Sequence, residues 1–199
     1  MKAVSVYVDG FNLYHALDDL QQPHLKWLDL WALSQSLCRA DETVRTVKYF
    51  SAYATWRESS YRRHQVYVSA LESRGVKFIE GRFKEGRAQC RRCQTRWKTH
   101  EEKETDVNIG VHLMADAMTR RFDRALVVSA DTDLNAAVLL TRHESGRAVD
   151  IIAPPRRKGR NSQALFEITL GRIRSSLLPS EIVHGGRTIR RPADYAPPS

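Results

Sequence analysis

The chain is built from short apolar runs separated by polar or glycine-bearing breaks. "AVSVYVDG" (residues 3–10) alternates β-branched and aromatic residues with others and stops at Asp-Gly, which predicts a strand and then a loop. Residues 43–53 ("TVRTVKYFSAY"), 76–83 ("VKFIEGRF"), 124–130 ("RALVVSA") and 148–154 ("AVDIIAP") predict four more strands. Between them, apolar residues recur at helical spacing over residues 27–38, 59–75, 105–121 and 132–146. Gly75 and Gly146 stop two of these helices, and Thr105 and Asp106 open another. A last helical piece is predicted from Ser162 to Ile168. Strands alternating with helices predict an α/β fold with a mostly parallel sheet of about five strands.

The pattern predicts one domain over residues 1–178, with a polar insertion at about 84–103 and a basic, Pro-rich, loosely ordered tail over 179–199. Hydrophobic residues make up 42% of the 199, enough for a real core. No run of about 18 apolar residues exists, so no membrane span is expected. The first residues read as a strand rather than a signal peptide, so a cytoplasmic protein is expected. The formal charge of +9 suits a polyanion such as nucleic acid, and equally a basic surface with no special partner. Three cysteines, Cys38, Cys90 and Cys93, are too few and too uneven for a disulfide framework.

Two of the predicted strands run straight into acids. Asp9 ends the first strand. Asp131 ends the fourth, in "VVSADTDLNAA", with Asp133 one step beyond. In a parallel sheet these carboxylates share the edge where open α/β folds bind ligands. Asp131 and Asp133, as alternate residues of an extended segment, would face the same way. Asp106, in the first turn of its helix, is the natural fourth member, and Gly110 one turn on leaves room for a neighbour. Asn12 adds a neutral oxygen. Clustered carboxylates repel unless a cation joins them, and Mg²⁺ or Mn²⁺ is the hard ion that such oxygens select. Each acid also has an ordinary use: Asp9 as a turn residue, Asp106 beside a helix dipole, Asp131 or Asp133 as a cap.

Together, "VYVDGFNLYHAL", "EEKETDVNIGVHLMADAM" and "ALVVSADTDLNAAV" resemble the NYN domain family in its LabA-like branch, related to PIN domains. The resemblance spans roughly residues 2–168. It implies a PIN-like three-layer α/β/α fold and a metal-dependent endoribonuclease site. It assigns metal binding to Asp9, Asp106, Asp131 and Asp133, and makes Asn12 a site residue. Ala130 and Leu134 stand where the family often has Gly and Phe, and these departures leave the acids intact.

On that reading, Ser129, Thr132 and Lys103 are candidates to contact phosphate or substrate. His112 lies within the apolar pattern of its helix and reads as a core or edge residue, or as a further site residue. In the insertion, Cys90-x-x-Cys93 with His100 gives three ligands of a four-ligand zinc site, to be completed by another chain; reduced thiols are the other reading. The basic stretches "TWRESSYRRH" (55–64) and "PRRKGRN" (155–161), with Trp97, are candidates to grip single-stranded RNA, and solvated charge is their ordinary use. Expected partners are RNA, a second copy of the chain or a regulatory protein, and no membrane. The alternative function is an RNA-binding or regulatory protein with the same fold and little activity. A Rossmann enzyme is disfavoured because no G-x-G-x-x-G follows a strand. An aspartyl-phosphate phosphatase is disfavoured because Asp9-Gly10-Phe11 has no second acid.

Overall fold

A computed structural model describes residues 1–159 and 162–198. Arg160 and Asn161, the end of the basic stretch after the fifth predicted strand, lie outside the described residues.

Six parallel strands form the central sheet: β1 (Lys2–Asp9), β2 (Glu42–Ser51), β3 (Lys77–Glu80), β6 (Arg124–Val128), β7 (Ala148–Ala153) and β8 (Phe166–Glu167). Their spatial order is β3-β2-β1-β6-β7-β8. The helices are α1 (Gly10–Asp18), α2 (Leu30–Leu37), α3 (Glu58–Ser73), α4 (Thr105–Met118), α5 (Leu134–Ser145) and α6 (Leu170–Ser175). Both faces of the sheet are covered, so its strands are apolar on both sides. In β1, Val4, Val6 and Val8 pack with Leu13, Leu33 and Leu71 of α1, α2 and α3. Tyr7 points to the opposite face and joins Ile109, Leu113 and Val138 of α4 and α5. The expected α/β fold, PIN-like and three-layered, is what forms.

Strand order reverses between β1 and β6. From β1 the chain builds outward to β2 and β3. It then returns to the other side of β1 with β6, β7 and β8. The carboxyl ends of β1 and β6 therefore flank the crevice where such sheets place their ligands.

Three expectations need correction. Residues 162–168 form no helix: Phe166 and Glu167 pair with Ile152 and Ala153 as a short sixth strand, and the helix starts at Leu170. A seven-residue run is too short for periodicity to separate a helix from an edge strand. The insertion is an antiparallel hairpin of β4 (Arg82–Gln89) and β5 (Arg96–Lys103), paired from Arg82↔Lys103 to Gln89↔Arg96. The third predicted strand accordingly breaks at Gly81, and its last residues belong to this hairpin. The segment after Leu178 is not loose: β9 (Glu181–His184) and β10 (Arg187–Arg190) form a second hairpin. Its Ile182 and Ile189 pack on Trp27, Ala70, Leu178 and Tyr195.

Candidate functional site

The crevice between β1 and β6 is closed by a chain of hydrogen bonds joining "DGFN" to "SADTD". Asp9 caps α1 by accepting from the backbone N–H of Asn12, 3.0 Å, so its turn role and its place at the crevice coexist. Its other oxygen accepts from the Ser129 hydroxyl, 2.8 Å. Ser129 Oγ in turn accepts from the Asp131 N–H, 3.0 Å, and Asp131 accepts from the Asp133 N–H, 2.9 Å. The Asn12 side-chain oxygen accepts from the Ala130 N–H, 3.1 Å. Asp131 and Asp133 are thus related by a turn, with Asp133 in helical φ/ψ, and not by the extended alternation expected. Asp133 stands at the N-cap of α5, yet its side chain makes no capping bond.

Asp106 reaches the same crevice because α4 packs closely on α5. A Cβ on Gly110 would sit 3.2 Å from the Cβ of Ala137, the close approach expected at that glycine. Asp106 and Asp133 stand exposed at the first turns of the two helices. The residue that sequence reasoning missed is Glu102. It accepts from Thr105 Oγ1 at 2.5 Å and feels the charges of Asp9 and Asp106. A left-handed Glu104 (φ 75°) turns the chain from β5 into α4, which places Glu102 and Asp106 on either side of the bend. Glu102 lies in a run of polar residues, where alternation signals no buried face.

Burial and like charge raise Asp9, Glu102 and Asp106 above the ordinary carboxyl range. Burial pushes Asp9 up to about 6 against the pull of its two hydrogen bonds, and Asp106 and Asp131 add to the rise. Burial pushes Glu102 up to about 7, with Asp9 and Asp106 contributing. Asp106 is raised by desolvation and by Asp131 and Asp133. Among the described residues, no Lys, Arg or His forms an ion pair with any of the five. They face one another at electrostatic range: among the described residues no three His, Cys, Asp or Glu side chains are gathered tightly enough to hold a metal ion as they stand. The donor set itself fits a hard divalent cation, being all oxygen, acidic and without a counter-charge.

Other candidates lie elsewhere. Lys103 turns to the opposite face of β5 from Glu102 and bonds Glu101, 2.6 Å, so it does not join the acids. Thr132 is exposed in the turn beside Asp131. Ser129 serves to orient Asp9 and Asp131. His112 contacts Lys48 Nζ, 3.2 Å, at the edge of a buried Lys48–Asp116–Tyr7 cluster away from the crevice. The zinc candidates are not brought together. Cys90 and Cys93 sit at the hairpin tip, with Cys93 bonded to Thr95, while His100 lies four residues down β5 from Arg96 and stacks flat on Trp56, 3.7 Å between ring centroids. In the second basic stretch, Arg157 pairs with Asp19, 2.5 Å, and Lys158 bonds the Leu165 carbonyl, 3.0 Å.

Beside the acids lies an aromatic cleft of about 420 Å³. A Cβ on Gly10 would overlap the Tyr49 ring at 2.4 Å, so only glycine lets α1 start against β2 here. Tyr49 forms the floor with Tyr67 and with His64, whose ring contacts the Tyr49 hydroxyl at 3.2 Å. Desolvation brings His64 down to about 4, so it is neutral.

The family model described as NYN domain matches residues 3–168. The chain belongs to the NYN domain family. Membership carries a PIN-like nuclease fold, in agreement with the six-stranded parallel sheet. The chain is also 26% identical over 196 residues to 6-hydroxy-3-succinoylpyridine 3-monooxygenase HspA of Pseudomonas putida (strain DSM 28022 / S16). That match covers 80% of this chain, which spans 61% of the relative's length. A crystal structure of a protein of unknown function from Vibrio parahaemolyticus superposes with a TM-score of 0.57 at 18% identity, covering 89% of this NYN chain and 96% of that one. At that identity the likeness is one of fold. No helix among the described residues is long and apolar enough to cross a membrane.

Proposed function

We propose that this NYN protein, as a member of the LabA-like branch, is a metal-dependent endoribonuclease. The observation that carries the reading is five carboxylates that face one another at the switch point of a parallel sheet, none of them in an ion pair among the described residues. Asp9, Asp106, Asp131 and Asp133 would hold one or two Mg²⁺ or Mn²⁺ ions, with Glu102 beside them. Bound there, such an ion supplies Lewis-acid chemistry: a water made acidic near neutral pH, and charge to offset the scissile phosphate.

The chain's own residues divide the remaining work. Ser129 fixes the rotamers of Asp9 and Asp131 through its two hydrogen bonds. Asn12 ties α1 to the β6 turn and keeps its amide N–H groups for an anionic oxygen. Glu102, brought to about 7 by burial, is able to take up and return a proton near neutral pH. Asp106 and Asp133 lie on exposed first turns, where side-chain rotation closes the set.

The test is incubation of the purified protein with structured and unstructured RNA in Mn²⁺, Mg²⁺ or EDTA, beside Asp131→Asn. Cleavage that needs metal and disappears in the variant is the expected result. Cleavage that persists in EDTA or in the variant contradicts it. RNA retention without cleavage favours the RNA-binding alternative.

A second reading has one observation in its favour. The aromatic cleft, with a relative named for action on a hydroxypyridine, fits a free heteroaromatic acid as substrate. It predicts no RNA cleavage and saturable binding of such an acid.

A further inference from the structure

The cleft and the acid edge share one wall. Alternate residues of β5 face the same way, so Lys98, His100 and Glu102 lie on one face of the hairpin, with Phe83 directly across from Glu102. Lys98, His100 and Phe83 line the cleft, while Glu102 feels the charge of Asp9. Gly10, next in sequence to Asp9, lines the cleft from the other side. A ligand filling the cleft is therefore continuous with whatever sits at the acids.

The lining has a definite chemistry. His15, Phe11, Phe83, Trp56 and His100 form a run of touching rings: 4.4 Å from His15 to Phe11, 6.2 Å from Phe11 to Phe83, 4.7 Å from Phe83 to Trp56, and 3.7 Å from Trp56 to His100. They come from α1, from the loop between β2 and α3, and from the hairpin. Phe11, Tyr14 and Trp56 are 41%, 41% and 39% exposed, aromatic area left in water at the mouth. Lys26, Arg57, Arg63 and Lys98 line the same cleft and no carboxylate does, whereas the neighbouring edge carries five acids. Lys26, Arg63 and Lys98 are paired with Asp18, Asp194 and Glu85, and Arg57 alone of the four has no carboxylate partner among the described residues. Rings beside an arginine without a carboxylate partner suit a planar ring attached to an anion.

We propose that this cleft receives one unstacked nucleobase of the RNA strand, adjacent to the phosphate held at the acid edge. The inference rests on the nuclease reading of that edge. It makes the protein selective for single-stranded positions, because a base paired in a duplex cannot enter. It also makes the ring ladder, not the acids, the source of base preference.

The test uses the full chain and a labelled single-stranded RNA octamer, with binding measured in EDTA, where no cleavage intrudes. Trp56→Ala and Phe83→Ala are each expected to weaken the octamer by about 5- to 150-fold, the range for loss of one stacked base. Trp56→Phe should recover most of the loss, and melting curves check that each variant folds. An octamer with abasic positions should bind wild type as weakly as the intact octamer binds Trp56→Ala, with no further loss in that variant. Abasic RNA bound at full strength, or an octamer indifferent to Trp56→Ala, overturns the proposal. So does 6-hydroxynicotinate binding that depends on Trp56 and does not compete with the octamer, which would assign the cleft to a free heteroaromatic acid. Metal-dependent cleavage without Trp56 dependence overturns the cleft alone. Base-dependent binding without cleavage in Mn²⁺ overturns the nuclease reading alone.

Discussion

Both ends of the central sheet bury charge, and they handle it in opposite ways. At the amino end, Arg124 is 4% exposed in its side chain and bonds Glu42 at 2.9 Å and Asp150 at 2.7 Å. The Arg124 guanidinium bonds both carboxylates, and Arg142 stands 3.9 Å from Asp150, so two cations face two acids. At the carboxyl end, Asp9 is as deeply buried, yet its partners are a hydroxyl and a backbone N–H, and its charged neighbours are acids. A third cluster, Lys48 with Asp116 and Tyr7, is balanced like the first. Among the described residues, buried charge is matched internally except at the switch point. The exception is what a fold retains when the missing charge arrives with a ligand.

The comparison breaks most sharply through Arg124. Replacing it with Met leaves the buried Glu42 without an ionic partner and Asp150 with only its 3.9 Å contact to Arg142. The expected loss is about 3–5 kcal/mol, or on the order of 10 °C in melting temperature. Thermal unfolding checks it, and a loss below about 1 kcal/mol would erase the contrast between the two ends.

The converse substitution should have the opposite sign. A carboxyl whose pKa folding raises holds its proton more tightly in the folded chain. Without a cation, stability is therefore lost as pH rises from the free carboxyl range through about 6 for Asp9 and about 7 for Glu102. His64, lowered to about 4, works the other way, losing stability as pH falls from its ordinary value, so the difference between wild type and variant is the clean quantity. In EDTA at pH 8, Asp9→Asn should be more stable than wild type by about 1–3 kcal/mol, and at pH 4 the two should converge. Urea titrations at the two pH values decide it.

A smaller effect belongs to Ser129. Ser129→Ala removes both bonds that orient Asp9 and Asp131, and roughly a tenfold loss of Mn²⁺ affinity is expected with the fold intact. Smallest per step is the pH dependence of that affinity. It should rise from pH 5.5 to 7.5, because Asp9 and Glu102 must shed protons before they can bind metal. Calorimetry in buffers of different ionisation enthalpy should detect the released protons.

How far the sequence reveals these features follows from where each signal lies. Asp9, Asp106 and Asp131 are legible because apolar strands or a clear helix start lead into them, and the alternating βα pattern places all three at one edge. Glu102 is hidden because β5 is polar on both faces, and only the left-handed turn at Glu104 directs it inward. The aromatic cleft is hidden for another reason: its rings come from separate segments, and no local pattern joins Phe11 to Phe83. The tail's Pro and Arg content points to a loose segment, although its hairpin carries a local mark. Gly185 and Gly186, at φ 55° and 75°, form the Gly-Gly turn that two-residue hairpins favour.

The measurement that bears most directly on the central claim is a calorimetric titration of metal-free protein with Mn²⁺ at pH 7.5, wild type beside Asp131→Asn. Saturable binding to wild type, accompanied by a rise in melting temperature and lost in the variant, is the predicted result. Equal binding to both, or none at millimolar Mn²⁺, would mean that the unmatched acids are not a metal site.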